Sequence, residues 1–106
     1  MLHMIVTYSV LPGMREAYIR DSQELINKTN QEEGCLFYEL CEIIEDDSQT
    51  DSTLTFVEAW KDQAALDYHF ETEHFKQVSA ILTSYRVPDS RIRTKYITVA
   101  SACTGM

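Results

Sequence analysis

Between Leu2 and Val10 the chain is dense in β-branched and aromatic residues, then stops at Pro12-Gly13, which predicts a first strand closed by a turn. From Met14 to Gln31, Met14, Ala17, Tyr18, Leu25 and Ile26 fall near one stripe, the spacing of an amphipathic helix. Ile19 lies off the stripe's centre and widens the expected buried face. Glu32-Glu33-Gly34 ends this helix, with Gly34 suited to left-handed backbone there. The period then changes to two. Over Cys35 to Ile44, Leu36, Tyr38 and Leu40 alternate with Phe37, Glu39, Cys41 and Ile43. A polar, acidic hairpin loop over 45–52 leads to a third strand, Thr53 to Lys61. Leu54, Phe56, Glu58 and Trp60 share one of its faces; Thr55, Val57 and Ala59 share the other. Asp62 predicts the N-cap of a helix through Phe70. Thr72 caps another through about Tyr85, burying Phe75, Val78, Ile81 and Leu82. After Pro88, Arg91 to Ala100 reads as a final strand.

This β-α-β-β-α-β order predicts an α+β, ferredoxin-like sandwich, a four-stranded antiparallel sheet with helices on one face. At 106 residues the chain predicts a single domain, 1–106. The third strand is apolar on both faces, so the face away from the helices needs a second cover. A copy of the chain, sheet against sheet, is the simplest one, and we expect a homodimer.

A formal charge of −8 argues against nucleic acid and against an anionic membrane surface as partners. Glu42, Glu45, Asp46, Asp47 and Asp51 concentrate part of it in one segment, which reads as a solvated loop. Arg86, Arg91, Arg93 and Lys95 make the C-terminal stretch basic, either to balance the acidic remainder or to favour an anionic ligand. Cys35, Cys41 and Cys103 lack metal spacing, the first residues read as strand rather than leader, and no apolar run nears the ~18 residues of a membrane span. Free thiols in the reducing cytoplasm are the expectation.

Candidate chemistry clusters around the third strand and the helix after it. Glu58, between Phe56 and Trp60, is either partly desolvated with a raised pKa or tied to a donor. It is then a base or ligand anchor, or a structural carboxylate. Trp60 is core packing or the flat wall of a ligand site. His69, on the helix face of Ala65 and Leu66, is a buried satisfied residue or a proton acceptor near neutral pH, and is the best catalytic candidate. His74 follows five residues on, ~140° around if one helix continued, so a two-histidine metal site is weak. His69 with Glu73 has better spacing but is no motif, and no metal is assigned. Tyr8, Tyr38, Tyr68, Tyr85 and Tyr96 supply phenols, with Tyr38 a ligand donor if its face lies under the helices. Three scattered glycines form no phosphate loop, and neither a Gly-x-Ser-x-Gly elbow nor a paired CxxC occurs.

Glu33-Gly34-Cys35, Phe56-Val57-Glu58-Ala59-Trp60, Leu66-Asp67-Tyr68-His69 and Glu73-His74-Phe75-Lys76 together resemble the antibiotic biosynthesis monooxygenase (ABM) domain family, quinol monooxygenase-like branch. The resemblance implies a ferredoxin-like domain that dimerises through its sheets into an α+β barrel. It also implies a cofactor-independent oxygenase taking a small aromatic or quinonoid substrate and O2. The family's haem-degrading branch carries a second tryptophan where His69 stands, and a haem-ligating histidine where Ser79 stands; both departures count against haem. On the quinol reading His69 is the base, with Tyr38 or Tyr68 on a ligand oxygen. Trp60 and Phe56 pack the ring, and Glu58 orients a donor. The alternative is an isomerase of a small phosphorylated carbonyl compound, with His69 and His74 as acid and base and a C-terminal arginine on the phosphate. A non-catalytic dimeric ligand-binding module is a third reading.

Overall fold

The computed structural model describes residues 1–44 and 53–101; the acidic run Glu45, Asp46, Asp47 and Asp51, and Cys103, lie outside the described residues. The elements are β1 (Leu2–Ser9), α1 (Arg15–Thr29), β2 (Cys35–Glu42), β3 (Thr53–Trp60), α2 (Gln63–Phe70), α3 (Glu73–Thr83) and β4 (Ile92–Ile97). Each lies where the periodicity puts it, with some ends unchanged and the others trimmed by one to three residues. The sheet order is β2-β3-β1-β4 with every pairing antiparallel, the ferredoxin-like arrangement.

Local chemistry sets the helix ends. The Asp62 carboxylate accepts from the Ala65 N–H at 2.9 Å, and the Thr72 hydroxyl accepts from the Phe75 N–H at 3.3 Å. Caps of this kind are worth about 1 kcal/mol each. The Thr72 hydroxyl also donates to the His69 carbonyl at 2.7 Å, holding the break between α2 and α3. At Pro12-Gly13 the predicted turn forms, with Gly13 at φ 82°.

Gly34 differs from expectation. It is not left-handed; α1 ends at Asn30 in ordinary right-handed geometry. A Cβ on Gly34 would collide with the Cβ of Ala65, so the glycine is required by the close approach of α2 to the α1–β2 loop. Two further expectations are corrected. Ile81 is 46% exposed, because Val78 and Leu82 occupy the seam with α1 and leave Ile81 on the flank of α3. Leu36, read as sharing a face with Tyr38 and Leu40, is 53% exposed while Tyr38 is buried, because a bulge between Cys35 and Phe37 interrupts the strand's alternation.

Register decides which sheet face meets the helices. Glu58 lies opposite Met4 and Tyr38, and Phe56 opposite Val6 and Leu40. This face, buried under Tyr18, Leu25, Leu66, Val78 and Leu82, is the core. The other face carries Ile5, Phe37 and Val57, half-buried with no helix over them. On it Thr55 is satisfied within the sheet, accepting from the Thr7 hydroxyl at 3.0 Å and donating to the Val6 carbonyl at 3.2 Å. β4 is exposed throughout, which leaves that edge of the sandwich open.

Candidate functional site

Between sheet and helices lies a cavity of about 180 Å³. Met4, Val6, Tyr8, Tyr38, Phe56 and Glu58 form its floor; Leu25, His69, Phe70, Phe75 and Ser79 form its roof. Arg86, Arg91 and Arg93 complete the lining, with Arg91 and Arg93 exposed and therefore at the mouth, beside the open β4 edge.

His69 is fixed from behind. Its Nδ1 lies 2.8 Å from Glu32 Oε2, and the same oxygen lies 2.7 Å from His74 Nε2. A carboxylate oxygen only accepts, so both rings donate to it. In a neutral imidazole this tautomer leaves Nε2 as the basic nitrogen. Glu32 is itself held in place: its N–H donates to the Thr29 carbonyl at 3.0 Å and its carbonyl accepts from the Cys35 N–H at 3.0 Å. The Asn30 amide, donating to the Ile26 and Tyr38 carbonyls, ties the end of α1 to β2 beside it.

The surroundings keep His69 neutral. The ring is 1% exposed, with centroids 4.8 Å from Trp60, 4.9 Å from Phe75 and 5.5 Å from Tyr38. This burial pushes its pKa down against the opposing pull of Glu32. The Glu32–His69 contact is therefore a neutral imidazole donating to a carboxylate, rather than an ion pair.

Glu58 meets both conditions expected of it. Burial pushes its pKa up to about 7, while a bond from the Trp60 indole N–H and the charge of Arg93 pull the other way. The indole nitrogen donates to Glu58 Oε1 at 3.0 Å. Burial also holds the Tyr38 hydroxyl well above the ordinary phenol value, so it is a permanent O–H donor. Arg86 lies 3.5 Å over the Tyr8 ring and donates through Nε and Nη2 to the Tyr18 hydroxyl, at 3.0 and 2.9 Å.

The family profile of antibiotic biosynthesis monooxygenase matches residues 1–80. The chain belongs to this family. A Synechocystis protein of uncharacterised function, sll1783, is 38% identical over 68 residues, covering 64% of this chain and 44% of its own. YcnE of Bacillus subtilis, whose name assigns it provisionally as a monooxygenase, is 36% identical over 67 residues, 63% of this chain and 66% of its own. The chain thus spans less than two thirds of the length of both relatives. A crystal structure of an antibiotic biosynthesis monooxygenase superposes with a TM-score of 0.82 at 29% identity, covering 94% of this chain and 100% of that one.

Within this ABM fold the predicted site residues divide. Tyr38, Phe56, Glu58 and His69 line the cavity together. Trp60 does not: it is fully buried behind Glu58 and His69, so it supports the site rather than forming a wall. Tyr68 is 65% exposed and lines an outer groove with His74, away from the cavity. The helix break brings His69 and His74 together although helical spacing would have separated them. With Glu32 they offer three donor atoms within 4.8 Å of one another, the set among the described residues that could hold a metal ion. Two hydrogen bonds already account for that approach. Glu32 is the residue that sequence reasoning missed, since its partners are 37 and 42 residues away and no local pattern points to them.

Proposed function

We propose that this protein is a cofactor-independent monooxygenase that oxidises a small hydroquinone-type aromatic with O2. The observation that carries the reading is a neutral imidazole, oriented by Glu32 through Nδ1, in the wall of an aromatic-lined cavity. Membership of the ABM family supports it. His69 Nε2 takes a phenolic proton, and the resulting anion passes one electron to O2. Semiquinone and superoxide recombine into a C–O bond, and the peroxide recovers the proton from the imidazolium. Loss of water then leaves one oxygen atom on the ring and the other in water, with the substrate supplying all four electrons. Tyr38 donates to a substrate oxygen, Phe56 packs against the ring, and Trp60 positions Glu58 and His69.

Ile5, Phe37 and Val57 on the uncovered sheet face support a homodimer formed sheet to sheet. The free thiols of Cys35 and Cys41 fit the reducing cytoplasm, and burial pushes the Cys35 thiol up to about 12, which makes it inert there. Among the described residues no helix is long and apolar enough to cross a membrane.

The test is O2 consumption by purified protein with a panel of hydroquinones, with metal chelated and no flavin added. Uptake above the spontaneous rate that falls by about 100-fold or more in His69→Gln is the expected result. Full turnover by that variant removes His69 as the base. An absence of uptake across the panel moves the assignment to an isomerase or a binding module.

A further inference from the structure

Although the chain is strongly acidic, the arginines around its cavity form no ion pair among the described residues, and only Arg93 acts on a carboxyl in the lining, Glu58, at longer range. Arg15 and Arg20 pair with Glu42 and Asp21, and Lys28 and Lys76 with Glu24 and Glu71. Arg86, Arg91 and Arg93 pair with no carboxylate among the described residues, although acidic side chains outnumber basic ones by 17 to 9 in the chain. Arg86 directs three of its five N–H donors to Tyr18 and Thr83, which fixes it in place, and so contributes chiefly charge. The guanidinium groups of Arg91 and Arg93 make no hydrogen bond within the described residues, and both open onto the cavity mouth. The one carboxyl group in the lining, Glu58, already bonds the Trp60 indole from its place on the floor. Basic groups clustered over a low-dielectric pocket focus the field on what enters it, and a free guanidinium fork matches a carboxylate or phosphate in geometry.

We propose that the substrate carries an oxyanion, a carboxylate or a phosphate, held at the mouth by Arg91 and Arg93 with the charge of Arg86 behind them. This rests on the cavity being the substrate site, but not on the reaction performed there. The anionic end sits at the rim, and the neutral, oxidisable part of the molecule reaches inward towards His69 and Tyr38. A plain hydroquinone fills the interior and leaves the arginines to water.

Anaerobic calorimetry separates this from the oxygenase reading, because it needs no turnover. The probes are hydroquinone, 2,5-dihydroxybenzoate and hydroquinone monophosphate. An anionic probe is expected to bind about tenfold or more tightly than hydroquinone, with carboxylate against phosphate identifying the preferred anion. In an Arg91→Gln/Arg93→Gln double variant, checked for an unchanged circular dichroism melt, that ratio collapses towards one. An Arg91→Lys/Arg93→Lys variant keeps the charge but loses the fork, and its ratio falls in between. Equal binding of all probes by the wild type, an unchanged ratio in the glutamine variant, or no binding by any probe overturns the proposal. Tight anion binding without O2 uptake leaves it standing and removes only the oxygenase.

Discussion

Glu58→Gln isolates the cost of keeping an ionisable group on the cavity floor. The carboxyl rises from its ordinary 4.5 to about 7 in the folded protein, chiefly through burial. A raised carboxyl pKa means that between these values the folded state holds a proton that the unfolded chain has released. Stability therefore falls as pH rises through that window and is fully reduced above the folded value. The size of the effect is about 3 kcal/mol. Glutamine cannot ionise, and its carbonyl oxygen still accepts from the Trp60 indole. The variant should come within about 1 kcal/mol of the wild type near pH 5, just inside the window, and exceed it fully above pH 8, with a melting-temperature gap on the order of 10 °C. Urea denaturation of both proteins at pH 5, 7 and 8.5, at one protein concentration, measures the gap directly. The difference between the two proteins cancels groups that titrate alike in both. A gap independent of pH, or a variant less stable at pH 8.5, would refute burial as the dominant influence on Glu58.

Three further outcomes are expected. Because burial holds His69 below its ordinary value, kcat/KM for a turned-over substrate, measured in Glu58→Gln so that the carboxyl near 7 no longer titrates, should stay flat through pH 7 and break only below 6.5; a break at or above 6.5 there contradicts a desolvated base. Removing the charge of Glu32 in Glu32→Gln lets the His69 pKa fall further, so that break should move to lower pH while the plateau drops by roughly 10–100-fold; a shift to higher pH rules out the orienting role. Gly34→Ala forces its Cβ against Ala65 and should cost about 1–3 kcal/mol in chemical denaturation, whereas a neutral result means that the α2 contact yields.

The limits of the sequence reading are clearest at two residues of the α1–β2 loop. Gly34 was legible as a special position, but the natural reading of a glycine after a helix is left-handed backbone. The actual reason is a contact 31 residues on, with Ala65. Glu32 had no local signature, because its role exists only once α2 and α3 have docked. His69, Glu58 and Tyr38 were legible because each is a polar residue set among apolar ones within a regular period. Trp60 was read as a wall for the ring and Tyr68 as an alternative hydroxyl on a ligand oxygen, and only packing shows one sealed behind Glu58 and the other in the outer groove.

Sequence alone determined the elements, their order and the α+β class, since periods of two and of 3.6, together with capping residues, act over a few neighbouring positions. It also determined that a carboxylate, a histidine and a phenol lie close to one strand and the following helix. Tertiary structure decided which sheet face meets the helices, because β-register pairs residues about fifty positions apart and a one-residue slip would reverse every side chain. It alone joined His69, His74 and Glu32, and it alone gathered Arg86, Arg91 and Arg93 around the same cavity as Glu58. Burial then set the chemistry: the low pKa of His69 and the high one of Glu58 follow from desolvation, which only packing supplies.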